Sequence, residues 1–329
     1  MRKALLIGID DYPGRPLRGC VNDAIELATL FETHGNGDPN FDVRKLTSND
    51  DDTTASSLHH HVSELFNGNA DIVVLYFAGH GVIIPETNTG YIMSTDAKMG
   101  SWGMSMGEIL GIANRAHPRI KSTVIILDCC HSGFVGEVEA INNQNVSVIG
   151  TGVTILTASH RKGEASEEGD HGIFTDILLD GLKGGCCDIR GNITPAALYS
   201  HVDQTLGPWK QRPIYKANVQ NFISLRQVEP KVSPEILRKL PKYFPEASSV
   251  FPLDPSFEPD RRNIPDELKH IEVNETNAAI FKELQRCNRH GLVSPVDAEH
   301  MYYAAIESKG CKLTALGAHY RKLAENKRL

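Results

Sequence analysis

The sequence predicts an α/β protein: a mostly parallel sheet flanked by helices, followed by a small helical module. Three observations predict it. Up to about residue 225, short continuous apolar runs alternate with amphipathic helical patterns, as parallel strands covered on both faces require. Prolines then crowd residues 230–265, which hold eight of the chain's 17. Helices and central strands tolerate few of them, because each lacks a donor and restricts its predecessor. Beyond that stretch the apolar spacing becomes helical again.

The elements follow in order. In "MRKALLIGIDDY" the apolar run is only Ala4–Ile9, and Asp10 and Asp11 follow at once. This reads as a first strand, not a signal peptide. Val21–Thr33, Thr53–Phe66 and Met106–Ala113 read as amphipathic helices. Asp71–Phe77, Gly90–Ser94, Thr123–Leu127 and Val153–Ala158 read as strands. Residues 1–229 are expected to form one domain, 230–265 a proline-rich linker and 266–329 a C-terminal module. In that module Glu275–Asn288, Pro295–Glu307 and Leu313–Asn326 read as helices, "CKLT" as a short strand, and the set as winged-helix-like.

Composition excludes several classes. The 329 residues are 40% hydrophobic and 23% charged, values of an ordinary soluble protein. No apolar run approaches the ~20 residues of a membrane span. Seven cysteines, four of them in the adjacent pairs Cys129–Cys130 and Cys186–Cys187, suit no disulfide framework, so a reducing cytoplasm is expected. Residues 1–229 carry 18 Lys+Arg against 27 Asp+Glu, and residues 230–329 carry 16 against 14. The large acidic body does not favour nucleic acid as a main partner. Lys309–Leu329 has six basic residues and one acid, which permits DNA contact; a solvated face or protein-docking surface is the simpler reading.

Chemistry gathers at the ends of two strands. "DIVVLYFAGHG" ends with His80 between Gly79 and Gly81, and "STVIILDCCHSG" ends with Cys129, Cys130 and His131. The reactive edge of an open parallel sheet lies at the carboxyl ends of its strands. If the two are neighbours, an imidazole faces a thiol, and can take its proton or stabilise the thiolate. Backbone N–H groups of Gly81 and the cysteine could then hold an oxyanion. A zinc site would need Cys-x₂₋₄-Cys spacing, which the chain lacks. A phosphatase loop would need an arginine where Gly136 stands. His59–His61 are read as a solvated helix face.

These motifs resemble those of the caspase family. His80 and Cys130 are 50 residues apart, and about 50 separates the pair in caspases. "DCCHSG" resembles the D-x-C-H-S-G of metacaspases, the caspase relatives of bacteria, plants, fungi and protists. "KALLIGIDDYPGRPLRGCVNDA" is similar to their first strand and loop, "VTILTASHRKGEASEEGDHGIFTDILLDGL" to the start of their small-subunit half, and "QRPIYK" to the loop before their last strand. The likeness covers roughly residues 1–225 and implies a caspase-like sheet. It makes Cys130 the nucleophile and His80 its partner, beside the oxyanion donors already read at Gly81 and Cys130. It also makes Asp23 and Asp128 an acidic specificity pocket, with Glu164 or Glu167 at its rim.

The expectation is a regulated cysteine endopeptidase cutting protein or peptide substrates after Arg or Lys, since paired carboxylates suit a basic side chain. No cofactor is expected. Calcium activation, known in metacaspases, is not carried over, because Glu86, Asp96, Glu137 and Glu139 are scattered. Phe134–Gly150 holds no Lys or Arg, so activity as an uncut chain is expected. The C-terminal module is the place for an activating protein or small signalling ligand, as in a bacterial stress or antiviral response. The reading from another class is a silent caspase-fold scaffold that recruits a protein or DNA through that module.

Overall fold

A computed structural model describes residues 1–84, 86–87, 89–129, 149–158, 167–168, 171–208, 212–262 and 264–329. The chain divides into two compact units, residues 1–187 with 191–229, and residues 188–190 with 230–329.

The first unit begins with β1 (Arg2–Gly8), α1 (Cys20–Glu32), β2 (Asp42–Thr47), α2 (Ala55–Leu65) and β3 (Ala70–Ala78). Then come β4 (Gly81–Ile84), β5 (Thr89–Lys98), β6 (Ser101–Ser105), α3 (Met106–Ala116), β7 (Ile120–Asp128) and β8 (Val153–Thr157). It closes with β9 (Glu167–Glu168), β10 (His171–Gly172), α4 (Ile173–Asp180), β11 (Asn192–Ile193), α5 (Pro195–Leu206), β12 (Ile214–Asn218) and β13 (Arg226–Gln227). Six strands form one sheet in the order β12-β8-β7-β3-β1-β2. Only β12 runs antiparallel to its neighbour.

Successive side chains of a strand point to opposite faces, and here both faces are covered. Leu5, Ile7, Leu75 and Phe77 pack with Leu58 and Val62 of α2 and Ile109 and Leu110 of α3. Leu6, Val74, Tyr76 and Ile126 pack with Leu27 and Phe31 of α1, Ile177 of α4 and Leu198 of α5. That is why β3 and β7 read as unbroken apolar runs. The expected strand at Gly90–Ser94 is real but lies in a separate antiparallel sheet, β4-β5-β6. Strand β2 escaped the pattern because, at the sheet edge, it buries only Leu46 and Thr47. Ile214–Lys216, expected in a loop, already belongs to β12.

The second unit contains α6 (Pro234–Tyr243), β14 (Val250–Pro252), α7 (Glu275–Arg289), β15 (Val293–Val296), α8 (Met301–Ile306), β16 (Gly310–Leu313) and α9 (Ala315–Glu325). The expected linker is folded. Pro234 sits in the first turn of α6, where a missing N–H costs nothing, and the Ser233 hydroxyl caps it by accepting from the Ile236 N–H. Leu237, Leu240, Phe244, Leu253 and Phe257 join the core with Phe281, Leu284 and Cys311. The module is therefore not purely helical, since β14-β16-β15 form an antiparallel sheet. Pro295 lies in β15, so the helix expected from it begins only at Met301. Leu313 ends β16, the strand expected at "CKLT", and Thr314 caps α9. Among the described residues no helix is long and apolar enough to cross a membrane.

Candidate active site

The two strands singled out in the sequence are parallel neighbours, with Ala78 of β3 level with Asp128 of β7. The Gly79 N–H donates to the Asp128 carbonyl (3.3 Å). Their carboxyl ends thus share the edge of the sheet at which ligands of such folds bind.

His80 is held from the loop after β1. Turns close Tyr12 and Leu17 onto the Asp10 carbonyl and Arg15 onto the Tyr12 carbonyl. The Asp10 carboxylate accepts from the N–H groups of Cys20 (2.9 Å) and Val21 (3.2 Å), fixing the start of α1 as a capping acid does. The Arg15 carbonyl lies 2.9 Å from His80 Nε2. A carbonyl only accepts, so Nε2 carries the proton and the neutral ring keeps its lone pair on Nδ1.

Tyr12 fixes the other end of the residue. The His80 N–H donates to the Tyr12 hydroxyl (3.1 Å), which donates to the Met93 carbonyl (3.1 Å). The Met93 N–H returns to the His80 carbonyl (2.9 Å). The hydroxyl is inserted where a direct His80–Met93 ladder bond would stand, and its ring lies 4.6 Å from the imidazole, centre to centre. Gly79 is required beside it, since a Cβ there would fall 2.5 Å from the Tyr12 oxygen. Gly81 pairs with Ile92, next to the hydrogen-bonded His80–Met93 pair. Antiparallel pairs alternate, so the Gly81 N–H points away from β5.

The sequence-predicted acids are also brought together. Asp23 of α1 and Asp128 at the end of β7 are 1% and 7% exposed. A Cβ on Gly172 would lie 2.7 Å from Asp128 Oδ2 and 3.2 Å from Asp23 Oδ2, so only glycine fits between them. Gly172 N–H donates to Asp23 Oδ2 (3.1 Å), and His171 Nδ1 lies 2.8 Å from Asp23 Oδ1. The Thr175 hydroxyl donates to Asp128 Oδ2 (2.7 Å) and accepts from the Tyr76 hydroxyl (2.7 Å). Burial, then the neighbouring Asp128, push Asp23 up to about 7 despite the bonds from His171 and Gly172.

The remaining predicted residues divide. Cys130, Glu137, Glu139 and Glu164 lie outside the described residues. Cys129, which directly precedes Cys130 in the chain, is buried. Asp96 accepts from the Ser94 hydroxyl (2.6 Å) and the Ala55 N–H (2.9 Å). These bonds hold its pKa below the ordinary carboxylate value, the Ser94 hydroxyl first, and make it a structural acid at the start of α2. Among the described residues no three His, Cys, Asp or Glu side chains gather as a metal site. His59 pairs with Glu108 of α3 (3.2 Å).

Sequence reasoning missed Tyr12, the Arg15 carbonyl, His171, Thr175 and Tyr76. A carbonyl leaves no mark in a sequence, and Tyr76 and Thr175 read as apolar-face residues of a strand and a helix. His171 carried the one usable signal, a histidine beside a glycine after an acidic run.

A family model described as the caspase domain matches residues 1–228. The chain belongs to the caspase-domain family. Among solved structures, the crystal structure of a Geobacter sulfurreducens protein is 15% identical to this caspase-domain chain, covering 70% of it and 97% of that protein, with a TM-score of 0.50. Caspase-1 from Spodoptera frugiperda is 11% identical over 69% of this chain and 90% of its own, with a TM-score of 0.49. No curated protein matches the chain significantly. Residues 229–329 lie beyond the family match.

Proposed function

We propose that this caspase-domain protein is a cysteine endopeptidase that cleaves after Arg or Lys. One observation carries the reading: two buried carboxylates, Asp23 and Asp128, meet at the end of β7 while its neighbour β3 runs directly into His80. Paired acids favour a cation, and arginine's planar fork can engage two carboxylates at once.

In this reading Cys130 is the nucleophile. His80 Nδ1 takes the thiol proton, while the Nε2 proton stays on its nitrogen, donated to the Arg15 carbonyl. Thiolate attack on the scissile carbonyl drives charge onto its oxygen, for which the outward Gly81 N–H and that of Cys130 are the donors. The imidazolium returns its proton to the leaving amine. The neutral ring left behind takes a proton from the water that attacks the acyl-enzyme and passes it to the departing sulfur, restoring the thiol. The stretch Phe134–Gly150 offers such an enzyme no basic residue, so the chain works uncut.

The test uses wild type and Cys130→Ala with peptides differing only in Arg, Lys or Asp before the scissile bond, each with and without calcium. Cleavage of the Arg and Lys peptides, lost in the variant, is expected. Cleavage after Asp would keep the nucleophile and sink the pocket. Silence on every peptide would sink the peptidase reading for the chain as purified.

A further inference from the structure

Asp23 is not an open acceptor. His171 Nδ1 takes one of its oxygens (2.8 Å) and the Gly172 N–H takes the other (3.1 Å). His171 Nε2 lies 3.3 Å from Glu26 Oε1, one helical turn further along α1. A neutral imidazole has one N–H; a ring with both nitrogens turned to carboxylates donates twice only as imidazolium. With the ring charged, the acids of the proposed pocket already hold a cation.

We infer that His171 is a specificity-determining residue: its ring is an internal counter-cation on Asp23, which a substrate's basic side chain must displace. The inference rests on the acidic-pocket reading above and adds the competitor within it. The geometry allows displacement on one side only. Asp23 is sealed, whereas the His171 and Glu26 side chains are 23% and 48% exposed. The ring can therefore leave Asp23 outward while keeping Glu26.

The charged and titratable groups around it are Asp23 and Glu26 on α1, Asp128 on β7, Asp176 on α4, and Lys183 beyond α4, 4.0 Å from Glu26. The Tyr76 hydroxyl of β3 stands behind Asp128 through Thr175. Burial opposes the charged ring, but Asp23, then Glu26 and Asp176, outweigh it and hold its pKa above the ordinary histidine value. Raising the pH discharges the competitor and also ionises Asp23, which burial and Asp128 push up to about 7, so basic substrates should bind more tightly there on both counts.

The test compares wild type, His171→Gln and His171→Lys on an Arg peptide from about pH 6 to about pH 9. Wild-type KM should fall as pH rises. The Gln variant, which keeps a donor without the charge, should lower KM about fivefold near neutrality and make the profile shallower, leaving only the part due to Asp23. The Lys variant, a cation that does not titrate there, should raise KM. Both effects should fall on KM rather than kcat.

A merely structural role would instead raise KM or lower kcat in both variants, which overturns the inference. A readout free of turnover uses Cys130→Ala protein with agmatine, an arginine lacking its carboxylate. Its binding should release His171, seen by NMR as a drop in the ring's pKa. Agmatine bound with that titration unmoved overturns the inference and leaves the pocket standing. No agmatine binding, with no Arg-peptide cleavage by wild type, overturns the pocket reading and the inference with it.

Discussion

His80 and the Asp23–Asp128 pair sit at the same edge of one sheet and are held by opposite means. Among the described residues the hydrogen-bond partners of His80 are neutral: the Arg15 carbonyl, the Tyr12 hydroxyl and the Met93 N–H. Its position is set by hydrogen bonds and one tilted ring contact, with no charge buried to achieve it. The two aspartates are sealed from water with like charges adjacent, and donors from His171, Gly172 and Thr175 keep them there. In the roles proposed above, a group that moves protons needs placement, and a group that recognises a charge needs a charge out of water. The second arrangement costs stability, and that cost is where the two regions can be told apart.

The largest expected effect is on stability against pH. Asp23, raised to about 7, holds its proton more tightly folded than unfolded. Between about pH 4 and about pH 7 the folded state therefore binds more protons, and stability falls as pH rises. His171, also raised, adds stability that is complete below its ordinary pKa and lost as pH climbs through the folded one. Both slopes have the same sign. Asp23→Asn should remove up to about 4 kcal/mol of pH-dependent stability, read from urea midpoints at low and high pH. An unchanged slope would mean that the acids are not strained.

Asp128→Asn tests recognition: kcat/KM for Arg peptides should fall about a hundredfold, mostly through KM, as when a buried charge loses its partner. A loss confined to kcat would move Asp128 from the pocket to the chemistry. Thr175→Val should cost about 2 kcal/mol in unfolding experiments, because the Tyr76 hydroxyl loses its acceptor and Asp128 a donor. Adding Tyr76→Phe should recover part of that. The smallest effect belongs to the neutral side. Tyr12→Phe should lower kcat about tenfold by loosening His80, leaving KM and the pH slope unmoved.

Much of this was legible before any coordinates. The parallel strands announced themselves because both faces are buried, and the candidate site was marked by a histidine and a cysteine standing where apolar runs stopped. Asp23 and Asp128 were found through resemblance, since a lone aspartate at a helix start or strand end usually caps or turns. What stayed illegible was whatever depends on register. Nothing in "HGIFTD" says that His171 faces Asp23 and Glu26, or that Thr175 stands between Tyr76 and Asp128. The proline-dense stretch misled for a related reason. Pro234 at a helix start is not a breaker, and only the pairing of Leu237 and Leu240 with a distant core reveals the helix.

The second unit takes in residues 188–190 from the middle of the first, and Ile189 is part of its core. The border at 229 is thus no perforation along which the chain can be torn. A truncation there leaves Ile189 behind, without the apolar cluster it packs in. A transplant of residues 230–329 onto another protein arrives with a gap where that side chain belongs. The unit travels as a cassette only if the host supplies an apolar residue in the place of Ile189, so exchange of such modules would be limited by one short loop rather than by the fused end.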